Sequence, residues 1–281
     1  MKDFKSFYKD VGGNEGDVCN YNVRLDTYGC GCQHDCDYCY AKSLLSFRDL
    51  WNAQKPAVAP ISEISKEIRK LPRGEIVRLG GMTDCFQSCE RLYRNTYKTI
   101  RLLNRRNIGY LIVTKSPLIA EDEYLRVMDK DLAHIQFSLT FTDDEQYKKA
   151  GIEKAPLPSK RIEAIEKLQA EGFDVCIRLS PYIPEFIDVD VLNGIKCDKV
   201  LVEFLRVNHW IEKWLGDKCD LTPYTRNFHG YKHLPFEVKK DLVDKLGDEH
   251  TITVCDFDPD YLDYWKKDFN PNKEDCCNLR R

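Results

Sequence analysis

Short apolar runs alternate with longer amphipathic segments along most of the chain. Nearly continuous apolar runs of this kind are typical of strands that are buried on both faces of a parallel sheet. Six such strands are predicted, at residues 23–25, 76–79, 110–114, 134–139, 174–179 and 199–204.

Between the predicted strands, apolar residues recur at every third or fourth position, as on one face of an amphipathic helix. Leu92, Thr96, Ile100 and Leu103 have this spacing, and so do Ile162, Ile165 and Leu168. Strands that alternate with helices predict an α/β fold, built either as an open parallel sheet or as a partial barrel.

No internal repeat, low-complexity tract or linker interrupts this alternation. We expect an N-terminal extension at residues 1–19, one β/α domain at residues 20–205 and a C-terminal cap at residues 206–281. The cap contains one more predicted strand, at residues 251–254, in a segment rich in aromatic residues and cysteines.

Composition narrows the classes of partner. The 281 residues include 43 Lys and Arg against 46 Asp and Glu, which leaves a net charge of −3. This charge offers no overall attraction for nucleic acid or an anionic membrane, so a nucleic-acid contact would need a local basic face. The N-terminus lacks the apolar core of a signal peptide, and no apolar run approaches the roughly 20 residues that span a bilayer. We therefore expect a cytoplasmic protein with no membrane partner.

Cysteine is unusually frequent, with thirteen residues in the chain. An odd number of cysteines without a signal peptide does not fit a secreted disulfide scaffold, so we expect some of the thiols to bind metal.

Three of these cysteines form a compact motif. Cys32, Cys36 and Cys39 have the spacing Cys-x-x-x-Cys-x-x-Cys in a glycine-bearing loop. Three thiolates on a four-iron cluster leave one iron open for another ligand, and an open iron is a reaction site. The alternative is a closed zinc site that adds Cys30 as the fourth ligand.

Four blocks of sequence resemble the radical S-adenosylmethionine (radical SAM) superfamily, in the branch related to spore photoproduct lyase. They are the cysteine loop with Tyr38 before its last cysteine, residues 80–90, residues 114–116 and residues 155–161. The resemblance covers residues 20–205 and implies a partial (β/α)6 barrel of the radical SAM type with a C-terminal capping extension. It also implies a 4Fe-4S cluster on Cys32, Cys36 and Cys39, with S-adenosylmethionine bound at the open iron.

The implied reaction is a reductive cleavage of S-adenosylmethionine to methionine and a 5′-deoxyadenosyl radical, which abstracts hydrogen from the substrate. The cofactor performs the difficult step, and the protein positions it and excludes water. The resemblance implies a one-electron reductant such as flavodoxin or ferredoxin as partner.

The resemblance also implies cofactor-binding positions at the ends of successive strands. They are Gly80, Gly81, Asp84, Lys115, Ser138 and Arg178, together with Tyr38, which packs against the cluster. Asp84 is expected either to accept a hydrogen bond from the methionyl ammonium or to cap the next helix. Glu203 lies in an apolar run and is expected to pair with a cation such as Arg178 or to contact substrate.

Cys85 and Tyr40 are the candidate catalytic residues, because either side chain can return a hydrogen atom to a product radical. In spore photoproduct lyase a cysteine at the end of the second strand has this role, and Gly81 stands in its place here. Packing of a small buried thiol is the alternative for Cys85.

The substrate implied by the resemblance is a nucleobase, thymine-like, in repair or modification. Residues 91–106 and 225–233 are basic stretches with aromatic residues that suit nucleic acid, and a solvated helix and a surface loop explain them equally well. A peptide or a small metabolite is the alternative substrate. A non-catalytic iron-sulfur or zinc module is disfavoured by the blocks at successive strand ends.

Cys219, Cys255, Cys276 and Cys277 are the candidates for an auxiliary cluster. Their irregular spacing, with two adjacent residues, favours dispersed structural thiols instead.

Overall fold

The computed structural model describes residues 4–9, 19–273 and 275–280, and its centre is an eight-stranded sheet. The described strands are β1 (Phe7–Tyr8), β2 (Arg24–Leu25), β3 (Tyr28–Gly29), β4 (Ala57–Val58), β5 (Ile76–Leu79), β6 (Gly109–Thr114), β7 (Ala133–Ser138), β8 (Asp174–Tyr182), β9 (Lys199–Phe204), β10 (Arg226–Phe228), β11 (Tyr231–His233) and β12 (Thr251–Val254). The order in the central sheet is β1-β2-β5-β6-β7-β8-β9-β12, and only the β1-β2 pair is antiparallel.

All six strands predicted for the β/α domain are present. They are β2, β5, β6, β7, β8 and β9, and they are parallel neighbours in the order of the sequence. Every residue of β7 is buried, as expected for a strand covered on both faces. This mostly parallel sheet, with helices returning between consecutive strands, is consistent with the predicted partial barrel.

The central sheet continues beyond the six predicted strands. β12 pairs in parallel with β9, with Val254 opposite Val202, so the region after residue 205 contributes a strand to the sheet as well as covering it. β1 adds an antiparallel strand at the other edge. Residues 1–3 and 10–18 of the predicted N-terminal extension lie outside the described residues.

Helices connect the strands. The α-helices of the described chain are α1 (Tyr40–Ser46), α2 (Ile61–Ile68), α3 (Glu90–Tyr93), α4 (Asn95–Arg106), α5 (Asp122–Val127), α6 (Asp144–Ala150), α7 (Pro158–Ala170), α8 (Val189–Asn193), α9 (His209–Leu215), α10 (Phe236–Asp244) and α11 (Pro259–Tyr264). Ile100 and Leu103 of α4 and Ile165 and Leu168 of α7 are fully buried, which confirms the patterns within these two helices. The inclusion of Leu92 was wrong, because the left-handed backbone at Arg94 separates α3 from α4 and Leu92 of α3 is 75% exposed. No helix in the described ranges is both long enough and apolar enough to cross a membrane.

The inner face of the sheet carries side chains in layers. One layer is a small apolar cluster, separate from the main core, that includes Ile76, Leu111, Cys176 and Leu201. Two residues further along their strands, Arg78, Arg178 and Glu203 line a cavity. Because alternate residues of a strand share a face, the cavity lies on the same face as the apolar cluster, towards the carboxyl ends of the strands.

The C-terminal region is attached to the barrel at several points. Asn208, which precedes α9, donates from Nδ2 to Ser43 Oγ of α1 at 3.1 Å. The β10-β11 hairpin joins the end of the barrel through paired backbone hydrogen bonds between Val207 and Lys232. These contacts place α9 and the hairpin beside the cysteine loop and the cavity.

Candidate functional site

The cavity at the carboxyl ends of β5 to β9 gathers most of the predicted site residues. Its lining includes Cys32, Cys36, Tyr38, Cys39, Tyr40, Gly80, Gly81, Asp84, Lys115, Ser138 and Arg178. Cys85 is the one predicted site residue outside this lining. Residues predicted from five separate segments therefore share one site.

The cysteine loop is folded by local hydrogen bonds that turn its thiols to the cavity. The Asp35 N–H donates to the Cys32 carbonyl at 3.1 Å, and the Cys39 N–H donates to the Cys36 carbonyl at 3.3 Å. Asp35 has a φ of +43°, a left-handed conformation that aspartate tolerates better than most residues. Cys39 is the N-cap of α1, and its sulfur accepts a hydrogen bond from the Lys42 N–H at 3.4 Å.

The donor set fits an iron-sulfur cluster. Burial raises the pKa of the Cys32, Cys36 and Cys39 thiols, so a bound metal is needed to hold them as thiolates. Cys30, the fourth ligand of the zinc alternative, does not line the cavity. In the ranges that the structure describes, no three His, Cys, Asp or Glu side chains converge on one metal ion.

Gly80 lets the backbone after β5 turn close to β6. Its φ is +83°, and a Cβ atom at this position would lie 2.6 Å from the Val113 carbonyl oxygen. A Cβ at Gly81 would lie 3.4 Å from Arg24 Cδ, an ordinary contact with a flexible side chain. Of the two predicted glycines, Gly80 is therefore the one whose lack of a side chain the fold requires.

We expect Gly80→Ala to weaken S-adenosylmethionine binding at least tenfold and to destabilise the protein by about 1–3 kcal/mol, because alanine would strain the backbone. Gly81→Ala is the matched control and should change both quantities little. Equilibrium dialysis and melting curves of the anaerobically reconstituted variants measure the two effects. Equal losses in both variants would contradict this assignment.

Asp84 is saturated with hydrogen bonds from the protein. Oδ1 accepts from the Phe86 N–H and the Thr114 hydroxyl, each at 2.8 Å, and Oδ2 accepts from the Lys115 N–H at 2.7 Å. His34 Nε2 lies 3.0 Å from Oδ2. Burial acts to raise the pKa of Asp84, but the His34 side chain and the backbone donors outweigh it and hold the pKa below its usual value. The carboxylate joins three segments of the site, and a cofactor ammonium would have to displace one of these partners.

Asp26 holds the backbone directly after the two glycines in place. Its Oδ1 accepts hydrogen bonds from the Met82 N–H at 3.0 Å and the Thr83 N–H at 3.3 Å. Burial raises the pKa of Asp26 to about 6, although these backbone donors act in the opposite direction. Asp26 thus fixes the backbone whose carbonyl at Gly81 accepts a hydrogen bond from the Tyr40 hydroxyl.

A buried ionic network lies behind the cysteine loop and centres on Glu153. The Glu153 carboxylate accepts hydrogen bonds from the Tyr38 hydroxyl and the Arg161 guanidinium, and lies 3.5 Å from the Lys115 ammonium. Cys36 Sγ is 3.6 Å from the same carboxylate. Burial, together with the nearby Arg161, lowers the pKa of Lys115 to about 8. Tyr38 therefore ties the cysteine loop to this network, and its packing against the cluster stays a prediction.

A second polar group forms the floor of the cavity. Arg178 donates to Glu203 Oε2 at 2.6 Å, and Ser180 Oγ donates to the same oxygen at 2.6 Å. Burial opposes ionisation of Glu203, but Arg178 and Arg206 lower its pKa to about 2. Glu203 is thus paired with Arg178, as expected, and it also lines the cavity, while a contact with substrate stays a prediction. Ser138 is 5% exposed, lines the cavity and offers a hydroxyl.

The two predicted catalytic residues have different settings. Tyr40 lines the cavity, whereas Cys85 is fully buried in the main apolar core. Burial strongly raises the pKa of the Cys85 thiol, with the nearby Asp84 carboxylate adding to the effect. The position of Cys85 gives no geometric support to a role as hydrogen donor and matches the packing alternative.

The mouth of the cavity combines a cation with aromatic rings. The Arg206 guanidinium lies 5.3 Å from the centre of the Tyr40 ring and 5.9 Å from the centre of the Tyr231 ring. Both distances are in the range of cation–π contacts. Tyr231 belongs to the 225–233 stretch that the sequence marked as basic and aromatic.

Sequence reasoning missed three residues that shape the site. His34 lies inside the cysteine motif, which was an available signal. Glu153 is 117 residues from Cys36 and Asp26 is 56 residues from Met82, so no local pattern connects them. Only the folded structure shows that these carboxylates hold the site together.

Comparison with known proteins supports the arrangement. The family model of the radical SAM superfamily matches residues 27–194, more than half of the chain. An uncharacterised protein of Methanocaldococcus jannaschii is 29% identical over 169 residues, which are 58% of this chain and 62% of that protein. An uncharacterised protein of Acidianus two-tailed virus is 25% identical over 201 residues, 66% of this chain and 63% of that protein. The chain thus covers less than two thirds of the length of either relative.

Solved structures share the fold at lower identity. A spore photoproduct lyase variant with bound AdoMet and dinucleoside spore photoproduct is similar with a TM-score of 0.60 and 17% identity, over 82% of this chain and 74% of that chain. A second variant of that lyase has a TM-score of 0.64 and 15% identity, over 88% of this chain and 76% of that chain. At these identities the likeness concerns the fold.

Proposed function

The chain belongs to the radical SAM superfamily and is an enzyme of that class, and from this premise we propose that it acts on a nucleobase in a phosphate-bearing substrate. A 4Fe-4S cluster and S-adenosylmethionine are its cofactors. We propose Cys32, Cys36 and Cys39 as the cluster ligands, since all three thiols face the cavity. When bound and reduced, the cluster supplies the electron that cleaves S-adenosylmethionine and yields the hydrogen-abstracting 5′-deoxyadenosyl radical.

The charge of the cavity carries the substrate proposal. Its charged lining consists of four cations and two carboxylates: Arg78, Lys115, Arg178, Arg206, Asp84 and Glu203. Both carboxylates are already engaged, Asp84 by His34 and backbone donors and Glu203 by Arg178. Within the lining itself the cations outnumber the carboxylates, although Glu153 behind the cavity also pairs with Lys115 and Glu203 also faces Arg206. An excess of one charge sign in a cavity attracts ligands of the opposite sign. The carboxylate of the cofactor and a substrate phosphate meet this requirement.

The floor and the mouth suit a nucleobase. Ser138, Ser180, Arg178 and Glu203 offer hydrogen-bond donors and an acceptor side by side, as the edge of a base requires. At the mouth, the rings of Tyr40 and Tyr231 flank Arg206, and aromatic rings beside a cation favour stacked bases and phosphates. The shared fold with a lyase whose structure holds a dinucleoside spore photoproduct supports the same class of substrate.

The outcome of the reaction is a separate question from the substrate. Gly81 stands where the lyase resemblance implies a cysteine hydrogen donor, and the buried Cys85 does not replace it. Among the predicted donors, Tyr40 is the one that lines the cavity. We therefore propose Tyr40 as the residue that returns or relays a hydrogen atom after abstraction.

The substrate proposal is tested by following deuterium. Anaerobic reactions are supplied with a reductant, S-adenosylmethionine and thymine-containing oligonucleotides deuterated on the base and methyl group. We expect substrate-dependent transfer of deuterium into 5′-deoxyadenosine, detected by mass spectrometry, because the radical abstracts hydrogen from the bound base. Mixtures of deuterated peptides and metabolites serve as the competing substrates.

Cys32→Ala is the control for non-enzymatic exchange and should give no labelled 5′-deoxyadenosine. Tyr40→Phe should retain deuterium transfer while changing the ratio of final products. Deuterium transfer from peptides or metabolites, with none from any nucleic acid or nucleotide, would refute the proposed substrate class.

An enzyme of this class needs a source of single electrons. We propose flavodoxin or ferredoxin for this chain, and both this partner and the cytoplasmic location stay predictions.

A further inference from the structure

Four cysteines outside the cavity come together beside the inner apolar cluster of the barrel. Cys255 follows β12, Cys276 and Cys277 lie near the C-terminus, and Cys19 lies before β2. All four belong to or pack against the apolar cluster that contains Cys176 and Leu201. The thiol of Cys276 is close enough to the thiols of Cys255 and Cys277 to interact with them electrostatically. Segments far apart in the sequence thus place four cysteines around one apolar cluster.

The segment that carries Cys276 and Cys277 is held in place by buried polar contacts. The Tyr21 hydroxyl donates to Asp275 Oδ2 at 2.5 Å, and Asp275 Oδ1 accepts from the Cys277 N–H at 3.0 Å. The Lys199 ammonium donates to the Asn278 carbonyl at 2.9 Å. Such contacts fix the backbone on both sides of the paired cysteines, as a preformed ligand site requires.

Two arginines lie between these thiols and the cavity. Arg78 and Arg178 line the cavity, and both are close enough to Cys277 to interact with it electrostatically. Cys176, a member of the same apolar cluster, precedes Arg178 by two residues on β8, a rise of roughly 7 Å along the strand. The guanidinium groups therefore offer positive charge to a site that becomes anionic when its thiols are deprotonated.

We propose that Cys19, Cys255, Cys276 and Cys277 hold a second iron-sulfur cluster, separate from the cluster of the cavity. Four thiolates are the full ligand set of a four-iron cluster, and each iron binds its own thiolate, so the thiolates need not converge on a single ion. The described residues contain no three donors that converge in that way, and this is equally true of Cys32, Cys36 and Cys39.

The structure changes the ligand set that the sequence suggested. Cys219 lines a different, open surface pocket together with Tyr224 and Asp220, and it does not belong to the set of four cysteines around the apolar cluster. Cys19 replaces Cys219 in the proposed ligand set, because the N-terminal segment that carries Cys19 packs against the C-terminal segment. The adjacent pair Cys276 and Cys277 remains, and the left-handed φ of +47° at Asn278 turns the chain directly after it.

Iron analysis of cysteine variants tests the second site. We expect anaerobically reconstituted wild-type protein to bind about eight irons per chain, and a variant with Cys32, Cys36 and Cys39 all changed to alanine to keep about four. Adding Cys255→Ser and Cys276→Ser to that variant should remove the remaining iron. Cys219→Ser is the matched control and should leave the iron content of wild-type protein unchanged.

A second measurement covers the case in which the triple variant fails to fold. Cys255→Ser with Cys276→Ser, in otherwise wild-type protein, should lose about half of the iron and keep a reduced-cluster paramagnetic resonance signal that shifts when S-adenosylmethionine is added. A fully thiolate-ligated cluster has no open iron, so the lost signal should be one that the cofactor does not perturb.

Wild-type protein with about four irons, all lost in the triple variant, would overturn the proposal. Stoichiometric zinc at the four cysteines, or unchanged iron in the Cys255 and Cys276 double variant, would also overturn it. None of these measurements uses a substrate, so they are independent of the proposed function.

Discussion

Changing Cys32, Cys36 or Cys39 to alanine is expected to abolish the reductive cleavage of S-adenosylmethionine. Each thiol lines the cavity, and a four-iron cluster held by three cysteines cannot keep its open iron in place when one ligand is lost. The measurement is the formation of 5′-deoxyadenosine by reconstituted protein under strong reductant, which should fall to the level of a reaction without enzyme.

Cys30→Ala provides the matched control, because Cys30 belongs to the same loop and does not line the cavity. It should retain the cluster and nearly full cleavage. If Cys30→Ala lost the metal together with the other three variants, a site of four cysteines would be indicated and the open iron would be excluded.

Glu153→Ala is expected to destabilise the folded protein by about 3–5 kcal/mol, the usual cost of leaving a buried charge without its partner. Arg161 has a fully buried side chain, and Glu153 is its charged partner. Lys115 lies 3.5 Å from the same carboxylate, so the change would leave two neighbouring cations without an anion. For a protein of this size the melting temperature should fall by roughly 10 °C.

Glu145→Ala is a suitable comparison, because its ion pair with Lys148 is on the surface with 82% of the glutamate side chain exposed. Surface pairs of this type contribute at most about 1 kcal/mol, so the melting temperature should change by only a few degrees. A similar small change for Glu153→Ala would show that the buried network does not stabilise the loop.

The strands were predictable because their apolar runs are local. A buried parallel strand is visible in its own four to six residues, and β5, β7 and β9 match their predicted positions within one residue. Which strands pair with each other in the sheet cannot be predicted from such local runs. Residues 251–254 were correctly predicted as a strand but assigned only to the cap, since the pairing of β12 with β9 depends on the path of the chain between them.

The same distinction applies to the site. The cysteine spacing and the glycines after β5 are local, and the structure brings both to the cavity. Asp84 was singled out from its place after the glycines, but the partners that occupy its oxygens come from residues 34, 86, 114 and 115. Glu153 carries no local signal at all, because its role arises from Tyr38, Lys115 and Arg161 meeting in the folded interior.

The hydrogen bonds of Asp84 have a consequence for how the cluster is acquired. They connect the cysteine loop through His34, the loop after β5 through Phe86, and the end of β6 through Thr114 and Lys115. The entropy of ordering the cysteine loop is therefore lost during folding and not when iron arrives. Small zinc domains behave differently, since they are unfolded without their metal. We expect the metal-free protein to be folded and stable before it binds a preassembled cluster. We also expect it to lose the cluster by oxidation and to regain it repeatedly without unfolding.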